Sequence, residues 1–129
     1  MESDILVVDD SAAIRKILQR VLRQTGMAIR AIHEAGDGQE ALALLAEHRV
    51  DLVLTDINMP KMDGLQLLAS LKASAQWHNT PVVMITTEGG ETKVAEAVKL
   101  GAAGYVRKPF TADQIKEKLV GILEPVLPS

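Results

Sequence analysis

Three acids stand where apolar runs stop. The run ILVV (5–8) ends in Asp9-Asp10, and LVLT (52–55) ends in Asp56. Two further runs close on other reactive groups: VVMI (82–85) on Thr86-Thr87-Glu88, and GYV (104–106) on Arg107-Lys108-Pro109. Gathered in one place, these would be three carboxylates, a hydroxyl and an ammonium. Carboxylates a few ångströms apart repel and raise each other's pKa. A hard divalent cation removes that conflict, and magnesium suits such a set because it takes a few carboxylate oxygens and keeps several waters. The group reads as a magnesium site with an open coordination position. Taken singly, each acid has a plainer use: Asp10 or Ser11 could cap a helix over 12–25.

What would bring these residues together is the alternation of two patterns. Short apolar runs occur at Ile5–Val8, Ala28–Ile32, Leu52–Leu54, Val82–Ile85 and Tyr105–Val106. Between them lie helical stripes. Ile14, Ile17, Leu18, Val21 and Leu22 form the first, and Ala41, Leu42, Leu44 and Leu45 the second, after Gly36-Asp37-Gly38. Leu67, Leu68 and Leu71 form the third, Val94, Ala97 and Val98 the fourth, and Ile115, Leu119, Ile122 and Leu123 the fifth, which Pro125 helps to end. Five strands alternating with five helices call for an α/β fold with a mainly parallel sheet covered on both faces. Runs 5–8, 52–54 and 82–85 are apolar throughout, as strands covered on both sides should be. AIRAIHE (28–34) mixes polar and apolar residues and reads as an edge, as does the short last run. Ligands of such sheets bind outside the carboxyl ends of the strands, which is where the acids, Thr86 and Lys108 fall.

Composition narrows the function. The 129 residues suit one domain, taken as 1–129, with a real core. A net charge of −3 has the wrong sign for a nucleic-acid footprint, and the three aromatics, Trp77, Tyr105 and Phe110, cannot build a base-stacking surface. Cysteine is absent, which excludes disulfides and thiol chemistry. His33, His48 and His78 lack zinc spacing and read as surface or edge residues. The acidic start MESDILVVDD is too short in apolar residues for a signal peptide or membrane span, so a soluble, cytoplasmic protein without membrane contact is expected.

The segments VVDDS, LTDINMPKMDG, VVMITTE and GYVRKPF, in that order, resemble the receiver domain of bacterial two-component response regulators, and in particular the single-domain chemotaxis type. The likeness spans essentially the whole chain. It implies a flavodoxin-like, doubly wound five-stranded parallel sheet of order 2-1-3-4-5 with five helices. It also implies that Asp56 accepts a phosphoryl group from a histidine kinase or His-phosphotransfer protein. Asp9, Asp10, Asp56 and the backbone carbonyl of Asn58 would hold Mg2+, and Thr86 and Lys108 would bind the phosphoryl oxygens. Pro60 and Gly64 would shape the loop carrying Asn58, and Asp63 would cap the next helix. Thr86 and Tyr105 would switch, with Tyr105 turning inward and the 91–123 face changing toward a downstream target. Asn58 and Glu88 would tune dephosphorylation. Helix 11–25, with Ala12, Ala13, Arg15 and Lys16 outward, would dock the phosphodonor. Such a protein promotes its own phosphorylation and dephosphorylation and is otherwise not an enzyme; it works as a monomer or a phosphorylation-dependent dimer.

Two departures from the chemotaxis pattern stand out. Gly89-Gly90 follows Glu88, and only Lys93 supplies a lysine near the start of helix 91–100, unlike a usual flagellar-motor-switch ligand. Rival readings are weaker. A haloacid-dehalogenase-type phosphatase needs a second acid where Asn58 stands, and a flavin carrier would not place Asp9-Asp10 beside its phosphate. Further alternatives are the receiver fragment of a larger transcriptional or enzymatic response regulator, with any output domain beyond EPVLPS, and a receiver-like binding module that is not phosphorylated.

Overall fold

The parity of the apolar runs decides the architecture. In β1, Ser3–Val8, the side chains of Ile5 and Val7 point to one face and those of Leu6 and Val8 to the other, and all four are fully buried. The computed structural model describes residues 2–86 and 91–123. In chain order the remaining elements are α1 Ala12–Gln24, β2 Ile29–Ala35, α2 Gly38–Glu47, β3 Leu52–Asp56, α3 Gly64–Lys72, β4 Val82–Thr86, α4 Glu91–Leu100, β5 Gly104–Arg107 and α5 Ala112–Leu123. The sheet runs β2-β1-β3-β4-β5 and every pairing is parallel, as expected.

Two cores sandwich it. Ile5, Val7, Leu52, Leu54, Val83 and Ile85 pack against Leu18 and Leu22 of α1 and Ile115 and Leu119 of α5. Leu6, Val8, Val53, Val82 and Met84 pack against α2, α3 and Ala97 of α4 on the other side. Each such leucine contributes roughly 1.5–3 kcal/mol relative to remaining in water, so the strands are rigid supports for whatever their ends carry.

Some boundaries differ from expectation. β2 begins and ends one residue later than AIRAIHE, because it follows the register of β1 to its end, pairing Ala35 with Val8. Ile17 and Val98 belong to the helical stripes but are 45% and 58% exposed. A 3.6-residue period spreads the stripe around the helix, so residues at its margins turn toward solvent. Ser11, not Asp10, caps α1, its hydroxyl accepting from the Ile14 N–H at 3.3 Å. Asp63 caps α3 as expected, in a reciprocal pair with Gln66. His33 lies on the edge strand β2 and stacks on His48 at the end of α2, with ring centroids 4.5 Å apart.

Candidate functional site

The carboxyl ends of β1, β3 and β5 meet as the strand order requires. Asp9 is buried: its N–H donates to the Ala35 carbonyl at 3.1 Å and its Oδ1 accepts from the Ser11 N–H at 2.9 Å. Beside it Asp10 is exposed. Asp56 is half-buried at the end of β3, and its Oδ1 accepts from the Ile57 N–H at 2.8 Å. The Ile57 carbonyl in turn accepts from the Gly64 N–H at 2.8 Å, drawing the start of α3 against the strand end. A Cβ at Gly64 would lie 2.3 Å from the Asp56 carbonyl oxygen, so only glycine permits this approach. Between them, Lys61 adopts φ 64°, and the Met62 carbonyl accepts from the Gly38 N–H at 3.1 Å, tying the loop to α2.

Lys108 enters from the other side. Its N–H donates to the Thr86 carbonyl at 2.6 Å, anchoring the segment after β5 to the end of β4. Its Nζ lies 3.3 Å from Asp9 Oδ2 and 3.8 Å from Asp56 Oδ1. The peptide bond from Lys108 to Pro109 is cis. Thr86 is the last residue of β4 and is buried, rather than lying beyond the strand.

Carboxylate oxygens of Asp9, Asp10 and Asp56 all fall within 4.8 Å of one another. Burial pushes the Asp56 carboxyl above its usual range; Lys108 opposes this, Asp9 and Asp10 add to it, and the Ile57 N–H opposes it. Among the described residues, Lys108 is the ammonium that pairs with these acids. The donors are all hard oxygens, without sulfur or imidazole, and one carboxylate is already disfavoured as an anion by its surroundings. These residues fit a small hard cation such as Mg2+.

The structure brings Asp9, Asp10, Asp56 and Lys108 together. Asn58 is exposed on the rim, and its side-chain oxygen accepts from Lys93 Nζ of α4 at 2.6 Å. Tyr105 points outward, 42% exposed, with Lys118 Nζ 5.7 Å from its ring centre. Glu88, Thr87 and the two glycines lie outside the described residues, as does Pro125.

Sequence reasoning missed two supports. Arg15, expected on a docking face, also donates to the Asp9 carbonyl at 2.6 Å and pairs with Glu34 at 3.1 Å. Its place one turn past Asp9-Asp10 was the available signal. The Lys93–Asn58 bond had no local signal, since it joins residues 35 apart.

The family model of the response regulator receiver domain matches residues 5–120. The chain belongs to this family. Among curated relatives, the receiver is 42% identical over 122 residues to the chemotaxis protein CheY of Pseudomonas aeruginosa, covering 95% of this chain and 97% of that one. It is likewise 42% identical to CheY-3 of Vibrio cholerae, over 93% and 91% of the two chains. Among solved structures, the chemotaxis response regulator CheY4 of Vibrio cholerae superposes with a TM-score of 0.84 at 32% identity, covering 95% of the receiver and all of that chain. The receiver domain of NtrX from Brucella abortus gives 0.82 at 35% identity, over 95% and 100% of the two chains. The receiver is therefore similar to CheY-type response regulators, a kinship that supports a phosphorylation-activated signalling switch. Among its described residues no helix is long and apolar enough to cross a membrane.

Proposed function

We propose that this receiver takes a phosphoryl group on Asp56 from a histidine kinase or a His-phosphotransfer protein, with Mg2+, and passes the signal on through its 91–123 face. The observation that carries the reading is the convergence of Asp9, Asp10 and Asp56 with Lys108, at the end of a rigid strand, in a chain of the receiver family.

Phosphoryl transfer asks for in-line positioning and neutralised charge more than for covalent help. Asp56 is held by β3, by the Ile57 N–H and by the close approach of Gly64, so its carboxylate is fixed in place, and one of its oxygens would be the nucleophile. That oxygen attacks phosphorus, the bond from phosphorus to the donor's imidazole nitrogen breaks, and the imidazole leaves with its electron pair. Lys108, 3.8 Å from Asp56 Oδ1, is near enough to hold a phosphoryl oxygen. Asp9, Asp10, Asp56 and the Asn58 carbonyl would hold Mg2+, whose charge offsets that of the phosphoryl oxygens. Phosphorylation adds about −1.5 to −2 charges and three acceptor oxygens. These draw the Thr86 hydroxyl toward Asp56, and Tyr105 moves inward from its exposed position on β5. The change in the α4–β5–α5 surface then alters affinity for a downstream protein. The chain promotes only its own phosphorylation and dephosphorylation.

Intact mass after incubation with a small acyl-phosphate donor and Mg2+ tests this. One adduct of about 80 Da is expected, absent with EDTA and absent in Asp56→Asn. A folded, Mg2+-binding protein that takes no adduct would instead be a receiver-like binding module.

A further inference from the structure

Arg15 stands at a position that its own helix does not favour. It lies in the first turn after the Ser11 cap, its N–H donating to the Ser11 carbonyl at 3.0 Å, and that end of a helix carries partial positive charge. Helical side chains lean toward the amino end, so Arg15 reaches back over its own turn. Its guanidinium holds two elements at once. Nη1 donates to the Asp9 carbonyl at 2.6 Å, and Nε donates to Glu34 Oε1 of β2 at 3.1 Å. The side chain is only 19% exposed. Asp9 follows the last residue of β1, so its carbonyl lies past the ladder to β2, which ends in the pair of Val8 with Ala35. That carbonyl belongs to the peptide joining Asp9 to Asp10. The plane of this peptide helps to set where the Asp10 side chain points, and Asp10, being exposed, is not directed by packing. Asp9 is fixed separately, by its N–H on the Ala35 carbonyl and by the Ser11 N–H on its Oδ1.

We propose that Arg15, anchored by Glu34, is a positioning residue that presents the Asp10 carboxylate to the cation of the acidic pocket. The inference rests on the Mg2+ site of the phosphoacceptor reading above. Two effects of the guanidinium compete there. Its positive charge repels a cation, whereas its hydrogen bond removes backbone freedom that Asp10 would otherwise lose on binding. Glu34 offsets the charge, so the pair is close to neutral as the pocket meets it, and the ordering prevails. Affinity for the cation thereby depends on an acid of the edge strand β2, outside the pocket itself.

The test titrates Mg2+ into the unphosphorylated protein, followed by amide NMR shifts, with thermal melts recorded in the absence of metal. Arg15→Met is expected to bind Mg2+ about tenfold more weakly, the usual loss on removing a group that orients a metal ligand. The Arg15→Met/Glu34→Gln double variant has the net charge of wild type and should lose as much. Arg15→Lys, which keeps the charge but cannot span both acceptors, should fold as wild type does and lose part of the affinity. Arg23→Met is the control: Arg23 holds the Ile29 carbonyl at 3.2 Å at the far end of α1. Its loss should lower the melting temperature with Mg2+ affinity unchanged. At saturating Mg2+, Arg15→Met should take a phosphoryl group from a small acyl-phosphate donor at a rate close to wild type. Affinity within roughly twofold of wild type in both Arg15→Met and Arg15→Lys overturns the brace. So does an equal loss in Arg23→Met, or a rate deficit that saturating Mg2+ does not close. A wild type that binds no Mg2+ overturns the brace and the metal site together, whereas one that binds Mg2+ but takes no adduct overturns the phosphoacceptor reading alone.

Discussion

Asp4, at the amino end of the sheet, and Asp9, at its carboxyl end, are equally buried, each 2% exposed. Their surroundings differ in one respect. Asp4 receives the fork of Arg30, with Nε donating to Oδ1 at 2.8 Å and Nη2 donating to Oδ2. Its N–H donates to Asp51 Oδ2 at 2.8 Å, and Asp51 is paired in turn with Arg49. Two acids there meet two guanidiniums, and the cluster closes on itself. At the other end, among the described residues, Lys108 is the cation that pairs with the carboxylates of Asp9 and Asp56, Arg15 reaching the Asp9 carbonyl instead, and the pocket is open beside Asp10. A balanced cluster staples β1, β2 and the turn before β3. An unbalanced one has capacity left for a cation and for a group that brings its own negative charge. The contrast teaches that burial of an acid does not mark a site, whereas burial without sufficient neutralisation does.

The largest expected effect breaks the acidic end alone. Lys108→Met should slow phosphorylation by a small donor about 100-fold, the usual loss on removing one preorganised donor to a transferring group. A rate within a few-fold of wild type would remove Lys108 from the reaction. Next, Gly64→Ala should destabilise the fold by about 1–3 kcal/mol in denaturant melts, since the new Cβ must displace the Asp56 backbone. It should slow phosphorylation as well, and a loss of stability at full rate would show that the aim of Asp56 tolerates this shift.

A subtler test sharpens the comparison through pH. The Asp56 carboxyl is raised in the folded state, so the native protein binds that proton more tightly than the unfolded chain. Stability from this group is present below the ordinary carboxylate pKa and is lost as pH rises to the raised value. Asp56→Asn should therefore melt above wild type at neutral pH without metal, and Mg2+ should close the gap by stabilising wild type more. Equal melting temperatures across this range would mean that the pocket carries no electrostatic strain. The smallest effect belongs to the other end: Arg30→Ala should lower the melting temperature while leaving the phosphorylation rate unchanged. A rate loss comparable to that of Lys108→Met would join the two clusters functionally and dissolve the distinction.

Much of this was legible beforehand, for identifiable reasons. Wholly apolar runs cannot face water on either side, so β1, β3 and β4 declared themselves as central strands. The acids and the lysine fell at strand ends because parallel strands all present their carboxyl ends to one rim. The edge strand was harder. Polar residues interrupt it, and its limits came from pairing with β1 rather than from its own residues.

By itself, then, the sequence determined the alternation of elements, the layers and the identity of the residues at the rim, because hydrophobic periodicity and chain order are local properties. Tertiary structure decided which stripe residues the sheet covers, leaving Ile17 and Val98 outside. It also decided that Arg15 braces Asp9, that Arg30 neutralises Asp4, and that Lys93 crosses to Asn58. Long charged side chains reach partners far along the chain, and their choice depends on which charges the folded backbone leaves unbalanced within a few ångströms.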